Sequence, residues 1–350
     1  MDYKAAIFIG RFQPFHASHL EVVKRGLEIA EKVIIVIGSI KSAPTIKNPW
    51  TFSERMKMIS DSLTPKEQRR IEFVGVRDYF NQENLWIRDI QNQISGFVEE
   101  GESACLIGHY KDASSYYFKS FPQWDFIPVK STKALNASDI RHSMFADGKI
   151  PADSVPQAVH GFLLNYMYGD GTGWSGGSGP GYTARMSTMQ NEYKYIQDYK
   201  ASWASTPYPV TFVTADALVT CSGHVLCIRR RVNPGAGLLA VPGGFVRQGE
   251  RLQDGALREL KEETGIRVDK LILENCIVDS HVFDHPDRSL RGRVITNAFH
   301  IKLKDGPLPE VKGSDDAERA LWVPIMDVMG NEQDFFEDHA HIISYFLNRG

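Results

Sequence analysis

Five short runs of apolar residues, each followed by a helical pattern or a Gly- and Pro-containing loop, constrain the first half of this 350-residue chain more than anything else in it. Ala5–Ile9 and Val33–Ile37 are continuous apolar stretches of strand length. Each ends at a glycine, Gly10 or Gly38, and the stretch between them carries apolar residues at Leu20, Val23, Leu27 and Ile29. Apolar residues on both strand faces imply burial on both faces, so this is a βαβ unit of a parallel sheet. Helices are predicted over Phe52–Leu63, Asn84–Val98 and Ala137–Ala146. Strands are predicted at Ile71–Val74, Ala104–Ile107 and Asp125–Val129. Strands alternating with helices give a doubly wound, Rossmann-like parallel sheet, whose ligands bind beyond the strand C-termini.

Length and composition leave room for a second domain. A chain of 350 residues exceeds what one core of ordinary size accommodates, and 42% hydrophobic and 24% charged residues are usual for a globular protein. A formal net charge of −3 argues against a nucleic-acid or polybasic membrane role. No apolar run approaches 18 residues, and the start of the chain has no signal-peptide pattern. Cys105, Cys221, Cys227 and Cys276 form no C-x-x-C pair, which suits reduced thiols in the cytoplasm. Oligomeric state is open at this level.

Two motifs carry chemistry. The first, Gly10-Arg11-Phe12-Gln13-Pro14-Phe15-His16-Ala17-Ser18-His19, follows the first strand directly. Gly10 would let a phosphate approach the backbone. His16 and His19 flank a helix start, where free N–H groups favour an anion. The second runs from Gly244 to Ile266 and holds Glu259, Glu262 and Glu263 at i, i+3 and i+4. On a helix those carboxylates share a face and repel one another. A hard divalent cation, Mg²⁺ or Mn²⁺, removes the conflict. Gly265 is placed to stop that helix.

The second motif resembles the Nudix box, whose members cleave a nucleoside diphosphate linked to another group. The resemblance implies an α/β/α sandwich with a mixed sheet. It implies Glu259, Glu262 and Glu263 as metal ligands, the Gly243 carbonyl as a further one, and Arg258 as a residue that orients a carboxylate. It places a general base in the loop holding Asp315 and Asp316. The stretch around Arg288, Arg291 and Arg293 is similar to Nudix domains of NAD metabolism, and those arginines are candidate contacts for ADP-ribose. Predicted strands at Val210–Leu218, Val225–Arg231, Leu271–Val278, Gly292–Leu303 and Ala320–Val323, with a final helix over Phe335–Leu347, suit that fold.

The first motif resembles the H-x-x-H signature of adenylyltransferases, in the form of the archaeal-type nicotinamide mononucleotide (NMN) adenylyltransferases. Family members often have Gly where Ser18 stands, and Ser-Gly-Thr where Ala137-Ser138-Asp139 stands. The resemblance implies that Ser138, Arg141, His16 and His19 serve ATP phosphates. It implies Trp86 as a ring stacked on nicotinamide. Arg11, Phe12, Gly38, Ser39, Asn48, Arg55, Gly108 and Asn136 join Gly10 as substrate-binding candidates. ATP, NMN, NAD and ADP-ribose are then the small-molecule partners. The expected organisation is an adenylyltransferase domain over 1–168, a linker and docking helix over 169–204, and a Nudix domain over 205–350. The Gly-rich stretch from Gly169 to Gly181 reads as flexible, and Thr183–Gln190 as an insertion or added segment without apolar periodicity. The competing reading is an adenylyltransferase for another phosphate acceptor, such as phosphopantetheine or FMN, joined to a Nudix domain that senses ADP-ribose without cleaving it.

Overall fold

The computed structural model describes residues 2–80, 82–99, 101–109, 119–130, 135–169, 181–313 and 317–348. They divide into two compact units, Met1–Tyr193 and Lys194–Gly350.

In the first unit β1 (Tyr3–Gly10), α1 (Ala17–Ile29), β2 (Ala30–Ile37), α2 (Phe52–Asp61) and α3 (Pro65–Gln68) lead to β3 (Ile71–Gly75). Then come α4 (Glu83–Ile94), β4 (Ala104–Gly108), β5 (Asp125–Pro128), α5 (Ala137–Asp147) and α6 (Gln157–Tyr168). The sheet order is β3-β2-β1-β4-β5, and every described pairing is parallel. The double burial read from the sequence is real. Ala5 and Ile7 of β1 pack into one core with Ile90 and Ile94 of α4, while Ala6 and Phe8 pack into another with Val22, Val23 and Ile140. The order reverses between β1 and β4, so the crevice at their C-terminal ends is the expected ligand site.

The helix α7 (Tyr182–Ser202) departs from expectation. The stretch 183–190 is its first half rather than an irregular insertion, and Met186 and Met189 are buried in the first unit's core. These two residues, three apart among polar neighbours, make too narrow an apolar stripe to register as a period. Residues Lys194–Ser202 of the same helix belong to the second unit.

That unit contains β6 (Thr211–Cys221), β7 (His224–Arg230), β8 (Leu239–Ala240), β9 (Gly243–Phe245), α8 (Leu252–Thr264), α9 (Lys270–Asn275) and β10 (Ile277–Phe283). It closes with β11 (Arg293–Lys302), β12 (Ala317–Pro324), α10 (Ile325–Gly330) and α11 (His339–Leu347). The main path of the sheet is β10-β11-β6-β7-β12, with β8 on β7 and β9 on β6. β11 runs parallel to β6 and the other pairs are antiparallel. α8 covers one face through Ala256, Leu257 and Leu260, and α11 covers the other through Ala340, Ile342 and Ile343. This is the mixed α/β/α sandwich. Two boundaries differ. Leu271–Asn275 is helix, not strand: Asp269 caps it by accepting from the Leu271 amide at 2.9 Å, and of its apolar run only Leu273 is buried. The last helix starts at His339, because Glu337 adopts a left-handed φ of 45° and Asp338 is committed to an ion pair.

If the start of α7 is part of the first core, Met189→Ala leaves a cavity there. Denaturant unfolding should show a loss of about 2–4 kcal/mol; a change near zero would make this stretch an appendage.

Candidate active sites

The loop after β1 is built around two buried arginines. Arg55 of α2 is 1% exposed. Its Nη1 donates to the carbonyls of Arg11 (2.8 Å) and Gly38 (2.7 Å), its Nη2 to Ser39 (3.3 Å) and its Nε to Thr51 (3.2 Å). Arg141 of α5 donates to the carbonyls of Ile46 (2.9 Å) and Gln13 and to Ser138 Oγ (3.1 Å). Neither guanidinium reaches a carboxylate within 4.0 Å among the described residues. Burial pulls both down to about 10 from the usual arginine value, and Arg11 nearby adds repulsion. Asp78 and Glu54 near Arg55, and Asp139 near Arg141, offset part of that charge without pairing with it. The loops after β1 and β2 thus wrap around positive charge that is only partly balanced, an environment that favours a bound anion.

Around these arginines the sequence candidates take different places. His16 caps α1, its backbone N–H donates to His19 Nδ1 at 3.2 Å, and the two imidazoles stack with centroids 3.5 Å apart. Phe12 lies in the core, edge-on to His19 at 5.0 Å, with a left-handed φ of 54°. A Cβ on Gly10 would stand 2.8 Å from the Phe12 ring, so the residue there must be small. Ser39 gives its hydroxyl to Asp78 (2.9 Å), as does Ser42. Asn136 caps α5 by accepting from the Ser138 amide at 3.1 Å. Asn48 has a buried side-chain oxygen with no partner among the described residues. Trp86 is half-buried, edge-on to Phe121 and packed on the α4 side of the sheet. The amide of Val129 donates to the Gly108 carbonyl at 2.8 Å.

The sequence reading passed over His109, Asp78 and Gln13. Directly after β4, His109 places one ring nitrogen 2.7 Å from the Val129 carbonyl and the other 3.1 Å from that of Ser18. Its position beyond a strand end at the sheet's order reversal was the available signal. Gln13 exchanges two hydrogen bonds with the Trp50 backbone.

In the second unit, Arg258 is the hub of the glutamate box. It grips Glu250 with Nε (2.8 Å) and Nη2 (3.0 Å), and reaches Glu259 (2.6 Å) and Glu262 (2.9 Å) with Nη1. That grip holds the Glu250 carboxyl down to about 2. Glu262 also accepts from Arg247 at 3.2 Å. Glu263, 7% exposed, accepts from the Gly243 amide at 3.0 Å. Burial, together with Glu259 and Asp216, pushes its carboxyl up to about 8 despite that bond. A Cβ on Gly244 would lie 2.6 Å from the Glu259 carboxyl carbon, so a side chain there would push that carboxylate aside. No set of three or more acidic, His or Cys side chains converges as a ready-made cage among the described residues. The donors nevertheless fit a hard divalent cation. They are carboxylate oxygens, and Glu263 is held where its own charge is disfavoured until a cation arrives.

Beside the box lies a cleft lined in part by Arg230, Phe245, Arg291, Phe336, Glu337 and His339. Arg230 stacks on Phe336 at 4.1 Å, and Arg291 lies 5.6 and 5.7 Å from the Phe245 and Phe336 rings. Arg291 also sits 3.6 Å from Glu337. Burial and the neighbouring Arg291 lower Arg230. His339 is pushed well below its usual value by burial and by three arginines, so it is a neutral ring accepting from the Val241 amide. Arg288 lines the cleft, but its guanidinium is committed to a buried bidentate pair with Asp338 (2.9 and 2.8 Å). Arg293 pairs with Asp284 and is not among the cleft residues. Asp315 and Asp316 lie outside the described residues. Arg230, Phe336 and His339 were not readable from the sequence, since nothing in their spacing marks them.

The parallel sheet with its histidine loop and the mixed sheet with its glutamate box define two catalytic modules, a nucleotidyltransferase fold and a Nudix fold. Residues 7–143 match the cytidylyltransferase-like family model and residues 211–346 match the NUDIX domain model. The nicotinamide/nicotinic acid mononucleotide adenylyltransferase of Acinetobacter baylyi is 37% identical over 162 residues, 46% of this chain and 85% of that protein. The ADP-ribose pyrophosphatase of Methanocaldococcus jannaschii is 34% identical over 137 residues, 39% of this chain and 72% of that protein. A crystal structure from Francisella tularensis, a bifunctional NMN adenylyltransferase/ADP ribose pyrophosphatase complexed with AMP and a manganese ion, superposes with a TM-score of 0.91 at 33% identity and covers 99% of both chains. The chain belongs to this family of bifunctional NMN adenylyltransferase/Nudix proteins.

The raised Glu263 carboxyl has a sign that can be checked. Between about 4.5 and about 8 the folded protein holds a proton that the unfolded chain releases. Metal-free stability should therefore fall as pH rises through that window, by at most on the order of 5 kcal/mol. Glu263→Gln cannot ionise, so with chelator present its stability relative to wild type should climb from pH 5 to pH 9. Parallel melting-temperature curves would contradict the burial of that charge.

Proposed function

We propose that the chain works at two points of NAD metabolism. Its first unit transfers AMP from ATP to NMN, giving NAD and pyrophosphate. Its second hydrolyses ADP-ribose to AMP and ribose 5-phosphate. The observation that carries the first assignment is the pair of buried arginines, neither paired with a carboxylate, that hold the loop leading to the stacked histidines.

In the adenylyl transfer an NMN phosphate oxygen attacks the α-phosphorus of ATP in line, and the bond to pyrophosphate breaks. No covalent enzyme intermediate is needed. His16 and His19, at the start of α1, donate hydrogen bonds to phosphate oxygens whose charge grows in the transition state. Arg141 and Ser138 sit at the start of α5, where helix amides also favour anions. Arg55, spent on carbonyls, shapes the loops rather than touching substrate. Asn48 offers its unpartnered oxygen, and Trp86 a ring for the nicotinamide.

In the Nudix unit, Glu259 and Glu263, with Glu262 and the Gly243 carbonyl as further donors, would hold Mg²⁺ or Mn²⁺, which supplies charge neutralisation for the diphosphate. Arg258 fixes Glu259 and Glu262 in place. Arg230 over the Phe336 ring and Arg291 near the Phe245 and Phe336 rings put two guanidinium groups in the cleft, where they would meet an anionic substrate. The general base is assigned to Asp315 or Asp316 by the Nudix resemblance alone. The four cysteines are free, and no helix among the described residues is long and apolar enough to cross a membrane; both are consistent with a cytoplasmic enzyme.

His19→Ala should lower the rate of NAD formation by about 10²–10³-fold while leaving AMP release from ADP-ribose at the wild-type rate. Both are read on one full-length sample, and undiminished NAD synthesis would remove His19 from the mechanism.

A further inference from the structure

The loop from Thr45 to Thr51 is wired on several sides. Gln13 holds the Trp50 backbone, and Arg141 donates to the Ile46 carbonyl. Glu54 accepts from the Thr51 amide (2.7 Å) and hydroxyl (2.9 Å) in the capping box of α2. The last tie comes from far along the chain. Arg185, in the first half of α7, donates to Glu54 through Nη1 (2.6 Å) and Nη2 (3.2 Å), and through Nη2 to the Pro49 carbonyl (2.7 Å). Its guanidinium sits 5.3 Å from the Tyr166 ring of α6, and Arg185 and Glu54 are both largely buried. Met186 and Met189 anchor this half-helix in the core.

We propose that Arg185 is a positioning residue for adenylyl transfer: it fixes the Asn48–Trp50 loop so that the unpartnered Asn48 oxygen meets the nucleotide already in place. The proposal rests on the assignment of NAD synthesis to this unit. The residue lies outside the 7–143 stretch that matches the cytidylyltransferase-like model, so that match alone does not predict it. The physical reason is the fork. One planar cation grips a carboxylate that already caps α2 and, with the same nitrogen, the carbonyl next to Asn48. Without it the loop must be ordered at each binding event.

The test uses full-length wild type, Arg185→Ala, Arg185→Lys, Glu54→Gln and the Ala/Gln double variant. Glu54→Gln preserves the cap while removing the charge. In Arg185→Ala the KM for at least one of NMN and ATP should rise about tenfold, with kcat changed much less. Lysine, which cannot make the three-way contact, should restore only part of it. The double variant should be no worse than Arg185→Ala, because both changes break one interaction. ADP-ribose hydrolysis in the same samples should stay at the wild-type rate. Trypsin should cut after Lys47 faster in Arg185→Ala than in wild type. An unchanged KM and unchanged cleavage would overturn the proposal. So would equal losses of both activities tracking the folded fraction, which would make Arg185 a packing residue. Wild type making no NAD would instead sink the reaction assignment, and the Lys47 cleavage rates would still decide whether Arg185 holds the loop.

Discussion

Two guanidinium groups buried without carboxylates are the constraint on which the first unit depends. A loop of irregular backbone at the end of a parallel sheet exposes carbonyls that no ladder satisfies. Arg55 and Arg141 satisfy them, tying the segments after β1 and β2 to α2 and α5. The solution leaves net positive charge in a desolvated place. Asp78, Glu54 and Asp139 offset part of it from a distance, and no carboxylate stands within ion-pair distance of either guanidinium among the described residues. The same arrangement fixes the loop and leaves an environment that favours an anion, so in the proposed reaction loop architecture and nucleotide binding share one physical cause.

The second unit resolves the opposite problem. Its helix α8 gathers carboxylates, and Arg258 answers the outer ones while Glu263 stays buried with its charge opposed by Glu259 and Asp216. Glycine at 244 lets the Glu259 carboxyl close on the backbone. A guanidinium thus pre-orients the carboxylates proposed to hold a divalent cation. The cleft beside them is lined by two further arginines, Arg230 over the Phe336 ring and Arg291 near the Phe245 and Phe336 rings.

Much of this was legible beforehand because it rests on local pattern. The strand runs, the histidine string and the glutamate box each lie within about two dozen residues, and the sheet's order reversal put the first site where the strands end. What escaped depends on distant partners. Leu271-Ile272-Leu273 looks like a strand because its exposure cannot be read from the run itself. Phe12 packs in the core, and Gly10 stands against its ring, a contact that the motif itself does not reveal. Arg288 looked like a substrate arginine and is spent on Asp338, fifty residues away. Arg230 and Arg185 had no motif around them, and only the fold shows what they touch.

The central claim is that buried, unpaired guanidinium charge in the first unit is what binds the nucleotide. Calorimetric titration of full-length protein with ATP tests it directly, comparing wild type with Arg141→Met, which keeps the length of the side chain and removes its charge. The account predicts that the variant binds ATP about tenfold or more weakly, and that wild-type binding weakens as salt rises. Equal ATP affinity in the two proteins would contradict it.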